Sequence, residues 1–121
     1  DVDPDFLHSV LLAREALGTT AVGDGVAVPH PRSPILLRVP TALVTLCFLE
    51  TPIDFGALDG KPVHVLFSVI SPTTRAHLHL LSMLAFALRD PGFKECLVRR
   101  AGAEEILAAA RRLETAAAAK K

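Results

Sequence analysis

The sequence predicts an α/β fold, a mixed β-sheet sandwiched by helices in a single domain. Three observations lead there. Two runs of β-forming residues, Thr41 to Leu49 and Val63 to Ile70, flank a loop rich in Gly and Asp, so they read as strands that can pair antiparallel. Leu80, Leu81, Leu84, Ala85 and Leu88 recur at helical spacing and give one helix a wide apolar face. The chain has 121 residues, 50% of them hydrophobic and 21% charged, which suits one packed core and not disorder.

Asp3-Pro4-Asp5 starts the first helix, with an acidic cap and a proline at the first position. Phe6, Val10, Leu11 and Leu17 follow near helical spacing, and Gly18 is the expected stop. From Thr19 to Gly25 the residues are small or glycine, which predicts a turn that brings the backbone close to something. Val26-Ala27-Val28 is long enough for a short strand or edge segment. Pro29 ends it because proline has no N–H to give a ladder, so His30 stands at a strand end.

Pro31, Pro34 and Pro40 bracket Ile35 to Val39, a segment open between strand and loop. Thr41 to Leu49 has the composition of a buried strand, Glu50-Thr51-Pro52 interrupts it, and Asp54 to Pro62 is loop chemistry. After the strand Val63 to Ile70, Ser71-Pro72-Thr73-Thr74 offers hydroxyl caps for the long helix, which Asp90-Pro91-Gly92 is expected to end. One further helix or a pair runs from Phe93 to about Leu113, broken at Gly102, with Leu97, Ile106 and Leu107 on its buried side. Residues 1–114 form the domain, and 115–121 are an Ala/Lys tail that extends the last helix or frays. The chain contains no internal repeats.

Thirteen basic residues balance thirteen acidic ones, so no strong field marks a nucleic-acid or anionic-lipid partner. Cys47 and Cys96 lack ligand-like spacing and read as buried or half-buried thiols in a reducing compartment. No apolar stretch approaches the roughly 20 residues that span a bilayer, and no leader pattern opens the chain. The expectation is a cytoplasmic protein with no direct membrane insertion.

His30 is the first candidate for chemistry, because a histidine titrates near neutral pH and can serve as nucleophile, base or ligand. The alternative is a structural or merely exposed ring. The glycine turn ahead of it has bare N–H groups that can hold an anion. Arg14 and Arg32 each carry two readings, a phosphate contact through the guanidinium fork or a solvated side chain.

His77 shares a helix face with Leu81, Leu84 and Leu88, which places it beside a core or a site. It is either a core-edge histidine or a partner for His30. His77 and His79 are two apart, on roughly opposite helix faces, so they cannot jointly chelate one metal. His8 and His64 read as structural or surface residues, and Asp54 and Asp59 sit in their loop without an evident partner. There is no Walker glycine loop, zinc-spaced cysteine pair or serine elbow.

Taken together, Arg14-Glu15-Ala16-Leu17-Gly18-Thr19-Thr20 and Gly23-Asp24-Gly25-Val26-Ala27-Val28-Pro29-His30 resemble the active-site signature of the fructose/mannitol-type enzyme IIA domains. These are phosphoryl carriers of the bacterial phosphoenolpyruvate-dependent phosphotransferase system. Glu50-Thr51-Pro52-Ile53-Asp54-Phe55, Leu58-Asp59, Pro62-Val63, Leu66-Phe67, Pro72 and His77-Leu78-His79-Leu80-Leu81-Ser82 are most similar to its nitrogen-regulatory, PtsN-type branch.

The resemblance implies that His30 is phosphorylated on Nε2, that Arg14 lies beside the phosphoryl group and that His77 neighbours His30. It implies an HPr or NPr donor, an enzyme IIB or a regulated protein as acceptor, and no cofactor or metal. In-line transfer between histidines needs positioning and charge stabilisation more than covalent machinery, so these groups suffice.

Two departures stand out. Pro31 occupies a position where the family has glycine or alanine, which removes one backbone N–H beside His30. The chain also begins without the strand and helix that precede this region in the family, leaving a sheet edge that another chain, a second copy included, could cover. Two alternatives therefore stand beside the carrier: a regulatory binding module of the same fold that is not phosphorylated, and a sugar-specific IIA component.

Overall fold

The computed structural model describes residues 3–31 and 39–119. Its elements run α1 (Pro4–Glu15), β1 (Ala21–Gly23), β2 (Val26–Ala27), β3 (Leu43–Ile53), β4 (Val63–Ile70), α2 (Thr74–Ala87), α3 (Pro91–Val98) and α4 (Ala103–Ala119). They fall into two compact units, Asp1–Leu78 and His79–Lys121. The α/β class with a mixed sheet is the one found: the strand order is β1-β2-β4-β3, with β2 and β4 parallel and the other neighbours antiparallel. Of the segment bracketed by prolines, residues 32–38 lie outside the described residues, and Arg32 with them.

In the first unit α1 starts as its sequence demands. The Asp3 side chain caps it and Pro4 takes the first turn, where a missing N–H costs nothing. The helix ends at Glu15, ahead of Gly18. The stretch expected as one turn is instead a hairpin: β1 occupies Ala21–Gly23, and the turn is Asp24-Gly25 alone. Both residues have positive φ, 54° and 80°, the backbone twist of a two-residue primed hairpin turn. β2 is an inner strand, between β1 and β4, and not an edge.

β4 is the other inner strand, and its alternation follows from that place. Val63, Val65, Phe67 and Val69 are buried while His64, Leu66 and Ser68 are half-buried. Burying each of these valines is worth about 1.5–3 kcal/mol.

The strand expected to be buried, β3, is the outer one, and Leu43, Val44, Cys47 and Ile53 are exposed on it. Hence Cys47 is an exposed thiol, against the expectation of burial. Glu50-Thr51-Pro52 does not end the strand either: the ladder shifts register between Phe48 and Ile53, and an edge tolerates Pro52 because the missing N–H can face away from the ladder.

In the second unit Asp90-Pro91-Gly92 begins α3 instead of ending α2. Asp90 Oδ2 accepts from the Phe93 N–H at 2.9 Å, and Pro91 fills the first turn. The break between the last helices is made at Arg100, not Gly102. Arg100 adopts φ 54°, and the Arg100 and Ala101 N–H groups donate to the Leu97 and Cys96 carbonyls, which is the Schellman pattern with arginine in the usual glycine position.

α3 packs on α4, with Leu97, Cys96, Ile106 and Ala109 buried. Leu107, expected inside, is 53% exposed, because it lies a hundred degrees round the helix from Ile106. α4 continues to Ala119, so the alanine-rich tail extends the helix. Among the described residues no helix is long and apolar enough to cross a membrane.

Candidate functional site

The segment after β2 holds His30 in place by backbone and side chain together. The Val69 N–H donates to the Pro29 carbonyl at 2.9 Å, which keeps the chain beside β4 past the end of the regular ladder. Pro31 is fully buried, so the residue after His30 is a packing anchor. His30 Nδ1 lies 2.7 Å from the Val28 carbonyl oxygen. A carbonyl can only accept, so Nδ1 carries a proton, and in the neutral ring the lone pair is then on Nε2.

The second histidine arrives at the start of α2. Thr73 Oγ1 accepts from the Ala76 N–H at 3.1 Å and the Thr73 carbonyl accepts from the His77 N–H, so the cap fixes the first turn. The rings of His30 and His77 stand 5.0 Å apart between centroids and are tilted by 52°. His77 is only 6% exposed. Burial, and then the nearby His30, push its pKa below the ordinary histidine value, so the ring is neutral at neutral pH. Its Nδ1 and the Ser71 hydroxyl oxygen are buried and have no hydrogen-bond partner among the described residues.

Arg14 lies in the last turn of α1 and donates from Nη1 to the Gly18 carbonyl at 2.8 Å. One donor of its fork thus closes the helix end, which leaves four of an arginine's five N–H groups for other use.

Sequence reasoning missed Glu15 and Thr20. The Glu15 carboxylate accepts from both the Thr20 N–H at 2.8 Å and the Thr20 hydroxyl at 2.6 Å. Thr20 passes the connection on, since its carbonyl accepts from the Val28 N–H and the Val28 carbonyl accepts from His30. A carboxylate at a helix end, five residues before a threonine, was the available signal. Glu15→Ala leaves the buried Thr20 donors unpaired and is expected to cost about 1.5–3 kcal/mol in urea unfolding, with Glu15→Gln losing less.

The glycine turn does hold an anion, but one from its own chain. Asp59 Oδ2 accepts from the Asp24 N–H at 2.8 Å and Oδ1 from the Lys61 N–H at 3.1 Å, so Asp59 has the partner that reading the loop alone did not supply. Asp54 accepts from the Gly56 N–H within its own turn. His64 lies against Gly25, His8 and His79 are exposed, and Cys96 Sγ faces Glu105 Oε2 at 3.7 Å in the second unit. Among the described residues no group of three or more His, Cys, Asp or Glu side chains could hold a metal ion.

Among the described residues three groups with lowered pKa values set an acid response: Asp59, His77, and Glu105, which its hydrogen bond with the Arg99 guanidinium holds below the ordinary glutamate value. The Asp24 N–H, and next the Lys61 N–H, hold the Asp59 pKa below the ordinary aspartate value. The Asp59 contribution is therefore present above the unfolded value of about 3.9 and is lost as pH falls through the lower folded value. His77, lowered from about 6.5, binds its proton more readily when unfolded, so folding stability declines as pH falls below the unfolded value. Thermal midpoints between pH 8 and pH 3 should show a loss nearer neutrality and a further loss in acid, and His77→Gln should remove the first.

The family model for the phosphoenolpyruvate-dependent sugar phosphotransferase system, EIIA 2, matches residues 2–112. Over 90 residues the chain is 40% identical to the nitrogen regulatory protein of Escherichia coli K12, covering 72% of this chain and 53% of that protein. It is 35% identical over 98 residues to the fructose-specific EIIA component of Haloferax volcanii, covering 79% of this chain and 62% of that one. The crystal structure of the nitrogen regulatory protein IIA-Ntr from Neisseria meningitidis superposes with a TM-score of 0.72 at 38% identity, over 84% of this chain and 69% of that one. The chain spans about half the length of the curated nitrogen regulatory proteins it matches.

Proposed function

Because the chain belongs to the EIIA 2 family of the phosphoenolpyruvate-dependent sugar phosphotransferase system, we propose that it is a phosphoryl carrier charged on His30 Nε2 by an HPr- or NPr-type donor. The observation that carries this reading is the bond from His30 Nδ1–H to the Val28 carbonyl, which leaves Nε2 as the nucleophile. A lone pair on Nε2 forms the new P–N bond as the donor's P–N bond breaks, and the leaving imidazole keeps the electron pair. No proton need leave Nδ1 for the bond to form, and no metal enters the step.

His77 and Arg14 take the supporting roles. A neutral His77, 5.0 Å from His30 between ring centroids, still carries one N–H to donate to a phosphoryl oxygen. Arg14 turns its remaining donors to the same oxygens. The acceptor is an enzyme IIB or a regulated protein. We assign the chain to the nitrogen-regulatory role on its 40% identity to a nitrogen regulatory protein; the fructose-specific relative at 35% identity supports the sugar-specific alternative.

Pro31 favours one different reading, a binding module of the same fold that is never phosphorylated, since it offers no N–H to a phosphate bound at His30. One experiment separates the two. The protein is incubated with phosphoenolpyruvate, enzyme I and HPr, and the product is examined for acid-labile, alkali-stable phosphate in the peptide that contains His30. Uptake supports the carrier; an unlabelled protein beside a demonstrably charged donor supports the module.

A further inference from the structure

We propose that His30 and His77 form a two-histidine site for a divalent transition-metal ion of the zinc class, and that this ion and a phosphoryl group exclude one another. The exclusion rests on the carrier reading; the site itself does not.

Spacing is the first argument. With Zn–N near 2.1 Å and roughly 1.1 Å more to each ring centre, two imidazoles on one tetrahedral ion have centroids about 5 Å apart. The observed separation is 5.0 Å, and the 52° tilt is not the parallel stack of two rings meeting face to face. The second argument is the support around the rings. His30 donates its Nδ1–H to the Val28 carbonyl, the outer-shell contact that fixes a metal-ligating histidine in the tautomer with a lone pair on Nε2. His77 has no partner fixing Nδ1 among the described residues, so its tautomer is free to place a lone pair on either nitrogen.

The donor set decides which ions fit. Imidazole suits zinc, copper, nickel and cobalt, whereas magnesium and calcium need oxygen ligands. No third His, Cys, Asp or Glu joins the two rings in a metal-holding group among the described residues, so water completes the shell and binding is reversible. The two ring nitrogens are neutral ligands, so the ion brings its full double charge to the place where the carrier would hold a phosphoryl group. It occupies His30 Nε2, the atom that would form the P–N bond.

The test is a calorimetric titration with Zn2+ in buffer containing millimolar Mg2+, with histidine ring resonances followed by NMR as a second readout. One ion per chain is expected, with His30 and His77 resonances shifted together. Binding should be lost in His30→Ala and in His77→Gln, which keeps the volume of the buried ring more nearly than alanine, and kept in His79→Ala. No saturable binding to the wild type, or binding that survives both losses, overturns the site.

Next, pre-charged HPr is mixed with zinc-loaded and zinc-free protein. Uptake should fall in proportion to zinc occupancy and return on adding chelator, and unchanged uptake by the loaded protein overturns the exclusion. If the zinc-free wild type takes up no phosphate, the carrier reading fails while the titration still decides the site.

Discussion

His30→Ala protein is expected to acquire no acid-labile phosphate from a charged donor, while His77→Ala is expected to be charged at a rate about 10²–10³-fold below wild type, the usual cost of removing one preorganised donor. The two histidines differ in ways that predict different failures. His30 is half-buried, with Nδ1 tied to a carbonyl; His77 is nearly enclosed, and among the described residues its Nδ1 has no hydrogen-bond partner. Removing the first deletes the atom to which phosphorus would bond, whereas removing the second deletes one hydrogen bond to an oxygen of the transferred group. Rapid-quench measurement of phosphoryl transfer from pre-charged donor checks both, and circular dichroism confirms the fold of each variant. Equal labelling of His30→Ala and wild type would move the site elsewhere. An unchanged rate for His77→Ala would reduce that ring to a packing role.

Gly25→Ala is expected to destabilise the first unit by roughly 2–5 kcal/mol, combining about 1–2 for a left-handed residue with about 1–3 for overpacking. Gly25 has φ 80°, and a Cβ there would stand 2.4 Å from His64 Cδ2 and 2.6 Å from Nε2. Two causes act at one position, and a double-mutant cycle separates them. In a His64→Ala background the collision is gone and only the backbone cost should remain, so the double variant should lose less than the sum of the singles. Urea unfolding of the four proteins checks this, and strictly additive losses would show that the ring simply moves aside.

Much of this architecture is legible in the sequence because local rules and tertiary demands agree there. Asp3-Pro4 starts α1 and the valine alternation of β4 matches its inner place. The misreadings come where one local signal has two tertiary uses. A run such as Leu43-Val44-Thr45-Leu46-Cys47-Phe48 has the same composition at the edge of a sheet as in its middle, so neither the exposure of Cys47 nor the continuation through Pro52 follows from the residues. Asp90-Pro91 is a stop for one helix and a start for the next, and only the spacing to Phe93 decides. At the candidate site, His30 and His77 stand out as residue types. The clamp of Glu15 on Thr20 and the grip of Asp59 on the hairpin turn are contacts between side chains and backbone N–H groups, and spacing alone does not declare them.

His30 stands between two prolines, the second fully buried. Pro29 has its own φ fixed by the ring, and a residue preceding proline is held to extended conformations, so His30 has little backbone freedom left to lose. The entropy of ordering this segment is therefore spent when the chain folds and not when a partner arrives. For the carrier proposed above, a donor would meet a His30 already fixed in its backbone, and the free energy of the encounter would go to the contact itself, with little diverted to ordering Pro29 to Pro31.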